Sequence, residues 1–104
     1  LEQALAAGPE ASLRIEICYR LGVCREETGD REGALKAYAK AAAGKQKSDP
    51  FRLSAIARSA GLHEEAEDYR QALAAYRDLM DNAEDPELVA AATGRASELE
   101  AVLK

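Results

Sequence analysis

The stretch Leu21-Gly22-Val23-Cys24-Arg25-Glu26-Glu27-Thr28-Gly29-Asp30-Arg31-Glu32-Gly33-Ala34-Leu35-Lys36-Ala37-Tyr38 decides how this chain folds. Thr28-Gly29-Asp30 divides it. Gly29 suits the left-handed residue that follows a helix, and Asp30 suits the cap of the next one. Upstream, Leu13, Ile17, Leu21 and Cys24 recur at spacings of three and four, which predicts a helix over 9–28 with those residues on its inner face. Downstream, Ala34, Leu35, Tyr38 and Ala41/Ala42 predict a second helix over 31–43. Two helices joined by so short a turn form a hairpin.

The same reading extends along the rest of the chain. Gly8-Pro9, Asp49-Pro50 and Asp85-Pro86 each place a capping residue before a proline at the first helical position, where the missing N–H costs nothing. They open helices expected over 9–28, 50–66 and 86–103, the second with Leu53, Ile56, Ala60 and His63 on one side. Glu67-Asp68 marks a tighter turn without glycine, and 69–82 follows with Ala72, Leu73, Tyr76 and Leu79. Ala34 and Ala72, Leu35 and Leu73, Tyr38 and Tyr76, and Gly22 and Ala60 are all 38 residues apart. One offset over four such positions indicates an internal repeat.

Composition agrees with an all-α chain. Of 104 residues, 23 are Ala and 12 are Leu, while Val, Ile and Thr together number eight, too few for a pleated sheet. The length suits one domain with a core of small side chains. A net charge of −5 disfavours phosphate backbones, so no nucleic acid is expected. No apolar run is long enough for membrane insertion, and no signal-peptide pattern opens the chain. Cys18 and Cys24 are six residues apart on one helix, so they cannot pair with each other. Read as free, buried thiols, they favour a cytoplasmic over a periplasmic location. Ala- and Arg-rich usage hints at a bacterial source.

Leu21-Gly22, Gly29-Asp30, Ala34, Tyr38 and Ala41, followed by Ala60, Asp68-Tyr69, Ala72, Tyr76 and Leu79, make residues 13–84 resemble the tetratricopeptide repeat (TPR) family. That repeat is a helix–turn–helix unit of about 34 residues. The resemblance implies an antiparallel helix-pair solenoid of about five main helices in a right-handed superhelical array. Gly22/Ala60 and Ala34/Ala72 would let paired helices approach closely, with Tyr38 and Tyr76 filling the space toward the next pair. The chain departs from the family in its longer period and in Cys18 and Ile56 at the leading aromatic position. Arg25 and His63 stand where the family has a tyrosine after the Leu-Gly pair. On this alignment the single domain 1–104 comprises a partial unit at 1–7, repeat one at 9–43, a polar loop at 44–48, repeat two at 49–82, and a capping or next-unit helix at 86–103. Leu1–Ala7 is expected to be the end of a preceding helix. The natural protein is expected to continue at the N-terminus, with self-association through that end as a consequence.

Chemistry-bearing motifs are sparse. His63 is the one histidine, and neither His-Glu-x-x-His nor Cys-x-x-Cys occurs, so no metal is expected. Seven glycines form no phosphate-binding pattern, and no cofactor is expected. Gly44 is read as helix punctuation, Gly33 as a fraying first turn, and Gly61, inside a helix, as local packing rather than ligand approach. No nucleophile, base and oxyanion cradle come together, which points away from an enzyme. Charge is segregated instead: 36–58 holds Lys36, Lys40, Lys45, Lys47, Arg52 and Arg58 against Asp49 alone, between acidic ends. This basic stripe is read first as a solvated face. Glu16–Arg20, Glu27–Arg31 and Arg77–Asp81 are read as pairs at helical i, i+4 spacing.

The resemblance further implies that the first helix of each unit lines a concave groove receiving a partner's peptide or helix. Carried onto this sequence, that face is Glu16, Tyr19, Arg20, Val23 and Glu26, then Ser54, Ala57, Arg58 and Gly61, then Thr93 and Ser97. The family's carboxylate clamp is missing, with Tyr19 and Val23 at its places. Tyr19 is expected to anchor a partner, and Arg20 and Arg58 to choose its acidic groups. The expected function is a non-enzymatic protein-interaction scaffold. The alternatives are an assembly element that stacks on neighbouring repeats or copies, and an accessory helical domain of a larger protein.

Overall fold

The computed structural model describes residues 9–104. Within that span there are five helices and no strand: α1 (Pro9–Glu27), α2 (Arg31–Ala42), α3 (Pro50–Glu65), α4 (Tyr69–Asn82) and α5 (Pro86–Val102). The expected helices at 9–28, 31–43, 50–66, 69–82 and 86–103 each match one of them to within a residue. The readings of Leu1–Ala7 and of Gly8 as a cap lie outside the described residues.

Aspartates start four of these helices. Asp30 Oδ1 accepts from the Gly33 amide at 2.9 Å, Asp49 Oδ1 from Phe51 at 2.9 Å and Arg52 at 3.3 Å, Asp68 Oδ1 from Gln71 at 3.4 Å, and Asp85 Oδ1 from Glu87 at 3.0 Å. Each satisfies amides that have no carbonyl partner in a first helical turn. Two inter-helix turns repeat atom for atom. Gly29 has φ 84° and Glu67 φ 60°, and the next amide donates back over five residues, Asp30 to Arg25 O and Asp68 to His63 O, both at 2.8 Å. A glutamate therefore takes the left-handed conformation that glycine takes in the first turn, at a cost of about 1 kcal/mol. The turn is set by its neighbours rather than by glycine alone.

The chain divides into two compact units, Leu1–Ala55 and Ile56–Lys104, the boundary falling inside α3. In the first, α1 packs on α2. A β-carbon at Gly22 would run into the Tyr38 ring, and one at Gly44 into Ile15, so both glycines permit close contact. Ala34, Tyr38 and Ala41 are fully enclosed. In the second unit α4 packs on α5 through Ala72, Leu73, Ala96 and Leu99, with Tyr69, Tyr76, Met80 and Leu103 around them. The small residues bring the helices close and the tyrosines fill what remains.

Several expectations are corrected. Leu13, Ile17 and Leu21 do not face inward: they are 53%, 57% and 43% exposed, and Cys24 is exposed too. The covered side of α1 is carried by Ile15 and Gly22, because the Tyr38 ring of α2 leaves no room for a side chain at Gly22 and Ile15 packs against Gly44. Cys18 is half-buried rather than buried, and both thiols are free. Gly33 does not mark fraying, since a β-carbon there would collide with the Asp30 carboxylate that caps the helix. Gly44 is a packing residue against Ile15 more than punctuation. Gly61 is not held by packing: a β-carbon there would meet nothing within 4 Å, and the same is true of Gly94. No described helix is long and apolar enough to cross a membrane.

Candidate functional site

The richest side-chain assembly in the first unit joins α1 to the opening turn of α3. Asp49 caps α3, and the proline after it fixes the backbone so that Phe51 leaves the first turn toward α1. The Phe51 ring centroid lies 5.7 Å from that of Tyr19, which is in turn 6.1 Å from Tyr38, both pairs tilted. The Arg20 guanidinium sits over Phe51, 5.5 Å from its centroid, while its Nε donates to Glu16 Oε2 at 2.8 Å. An aromatic face and a carboxylate thus fix one cation from two sides. Beside them opens a depression of about 590 Å³ lined by Ser12, Leu13, Glu16, Asp49, Pro50 and Phe51. Its lining combines the apolar Leu13, Pro50 and Phe51 with the carboxylates of Glu16 and Asp49.

The structure places the expected site residues unevenly. Glu16, Tyr19 and Arg20 come together around Phe51. Tyr19 is half-buried, with its ring set between those of Phe51 and Tyr38. Glu26 accepts the Tyr38 hydroxyl at 2.7 Å, which gives its carboxylate a structural task. Val23 is half-buried and Ser54 exposed. In the second unit Arg58 is exposed, Ala57 and Gly61 are half-buried, and Thr93 and Ser97 are exposed, with the Thr93 hydroxyl donating to Val89 O at 2.8 Å.

Phe51 and Leu13 were not among the site residues expected from sequence, Leu13 having been read as part of the core. The signal for Phe51 is that it is the chain's one phenylalanine and stands directly after a capped proline.

The basic stripe loses a member. Lys36 and Lys40 are exposed, but Arg52 is only 2% exposed. Its Nε donates to Ala42 O and a terminal nitrogen to Lys47 O, both at 2.9 Å. The guanidinium satisfies the carbonyl of the last residue of α2, where the helix dipole also favours a cation, and one in the loop after it. Of the expected pairs at helical spacing, Glu16–Arg20 is present. Arg77 instead reaches Glu100 on α5, at 2.7 Å. Glu27 and Arg31 belong to different helices, so helical spacing does not apply to them.

The second unit contains a polar cluster at the place equivalent to Glu26–Tyr38. Glu64 Oε2 accepts the Tyr76 hydroxyl at 2.8 Å, and Glu64 Oε1 pairs with Arg95 of α5. Burial, then the hydrogen bond and charge of Glu64, push the Tyr76 phenol above its usual range. The bond to Glu64 raises the Arg95 guanidinium further, so it stays charged. This cluster ties α3, α4 and α5 together. His63 Nδ1 lies 3.8 Å from Asp68 Oδ2, and among the described residues no three His, Cys, Asp or Glu side chains converge as metal ligands would.

No protein-family model, no curated protein and no solved structure matches the chain.

Proposed function

We propose that this chain is a non-enzymatic, TPR-like solenoid element that binds a peptide or helical segment of another protein. The observation that carries the reading is the depression between the start of α1 and the start of α3, with Leu13 and Phe51 able to seat an apolar side chain. Arg20, held over Phe51, stands ready to exchange its bond with Glu16 for one to a partner's carboxylate. Tyr19 packs its ring against that of Phe51. The duplicated turn and the duplicated Tyr–Glu bond support the repeat reading, because they occur at one offset and with one geometry.

Selection of a random dodecapeptide phage library on the immobilised full chain tests this function. The reading expects enriched peptides that share an apolar residue near an acidic one and lose about tenfold in affinity against Phe51→Ala or Arg20→Ala. Both variants should keep the helical circular-dichroism spectrum. Peptides that bind both variants as well as the unaltered chain would contradict the proposed site.

A further inference from the structure

The residues that line the depression at Phe51 are of two kinds. Leu13, Pro50 and Phe51 offer carbon, while Glu16 and Asp49 bring two half-buried carboxylates to the same surface. Each carboxylate is served on one oxygen only. Asp49 Oδ1 accepts the amides of Phe51 and Arg52, and Glu16 Oε2 accepts from Arg20 Nε at 2.8 Å. Among the described residues no donor reaches Asp49 Oδ2 or Glu16 Oε1, and neither oxygen is sealed from solvent, which therefore supplies their hydrogen bonds.

An apolar side chain seated on Leu13 and Phe51 shuts that solvent out. Stripping water from a carboxylate without supplying a donor costs more than covering one apolar side chain gains, so carbon alone is a poor occupant of this surface. Arg20 sharpens the need. Once its guanidinium turns to an incoming carboxylate, Glu16 loses the donor at Oε2 as well, and three carboxylates then share one cation. A second cation restores the balance, and only the partner can bring it.

Taking the depression as a partner's seat, we propose that the segment it receives carries a lysine or arginine beside the apolar residue that enters. The charged head meets the open oxygens of Glu16 and Asp49, and the methylene stem lies along the apolar lining. The partner's acidic group goes to Arg20. Recognition therefore requires both signs of charge around one apolar anchor, and Glu16 and Asp49 reject segments that are apolar and acidic only.

Dodecapeptides enriched on the immobilised full chain serve as probes, each also made with norleucine in place of its lysine or arginine, which keeps an aliphatic stem and removes the charge. Fluorescence anisotropy measures their binding to the unaltered chain and to the double variant Glu16→Gln, Asp49→Asn. Asparagine still caps α3 there, and no carboxylate lines the depression. The norleucine versions are expected to bind the unaltered chain about tenfold more weakly, a ratio that falls to about one on the double variant. Enriched peptides with no basic residue beside the apolar one would overturn the inference, as would a norleucine version that binds equally well or a ratio that the double variant retains. If such peptides still lose affinity for Phe51→Ala, the site stands and only its charge preference is refuted. Peptides indifferent to Phe51→Ala, or no enrichment at all, would remove the site and the inference with it.

Discussion

Tyr38 donates its hydroxyl to the Glu26 carboxylate at 2.7 Å, spanning the turn that joins α1 to α2. Tyr76 does the same to Glu64 at 2.8 Å over an identical sequence separation. One ring therefore does two jobs in each hairpin: its body fills the gap left by small residues, and its tip ties the end of one helix to the middle of the next. Removing the tip alone, in Tyr38→Phe, should cost about 1.5–3 kcal/mol, because it strips a charge-assisted hydrogen bond from a part-buried carboxylate. Urea unfolding followed by circular dichroism reads this directly, and a change below about 0.5 kcal/mol would show that the bond has no weight.

Gly22→Ala forces a β-carbon into the Tyr38 ring. The expected loss is roughly 1–3 kcal/mol, even though alanine is the better helix former. The contrasting substitutions are Gly61→Ala and Gly94→Ala, where a β-carbon meets only open space. Each should raise stability by up to about 1 kcal/mol. Thermal melts of the three variants should therefore move in opposite directions, and a shared direction would contradict the packing described at Gly22.

Arg52→Met keeps the aliphatic stem but leaves Ala42 O and Lys47 O without their donors. A destabilisation of about 1–3 kcal/mol is expected for the unsatisfied carbonyls. Hydrogen exchange should show it first as loosening of the last turn of α2 and the loop to Asp49. Uniform protection along α2 in the variant would mean that Arg52 does not hold the helix end.

Tyr76 gives a pH signature. Its folded phenol titrates above the usual range, because burial and Glu64 disfavour the phenolate. Between the unfolded and folded values the native state binds more protons than the unfolded one, so stability falls as pH rises. The contribution is complete below the ordinary tyrosine range near 10 and is lost as pH rises through the folded value. Ultraviolet titration of the native chain should show a late-ionising phase that Tyr76→Phe removes, and the variant's stability should decline less steeply in alkali.

Helix limits were legible because Asp30, Asp49, Asp68 and Asp85 announce them, each with a side chain whose geometry serves amides that have no other partner. The close-packed positions were legible as small residues, since Gly22, Ala34, Ala60 and Ala72 are all buried. The inner face of α1 was not. Periodicity detects an apolar side at Leu13, Ile17 and Leu21, but it carries no information about what lies against that side. The Tyr38 ring and Gly44 instead select the side bearing Gly22 and Ile15. Arg52 was misread for a related reason: a cation in a basic run looks solvated until a helix end is found within its reach. Phe51 escaped because its meaning comes from α1, far away in sequence.

The central claim is that residues 38 apart occupy equivalent places in two copies of one helical hairpin. A nuclear Overhauser spectrum of the labelled full chain tests it most directly. The account predicts cross-peaks from the Tyr38 ring to the Gly22 α-protons and, at the same offset, from the Tyr76 ring to the Ala60 methyl group. Absence of the Gly22 peaks, or a Tyr76 ring seen only by residues with no counterpart around Tyr38, would contradict it.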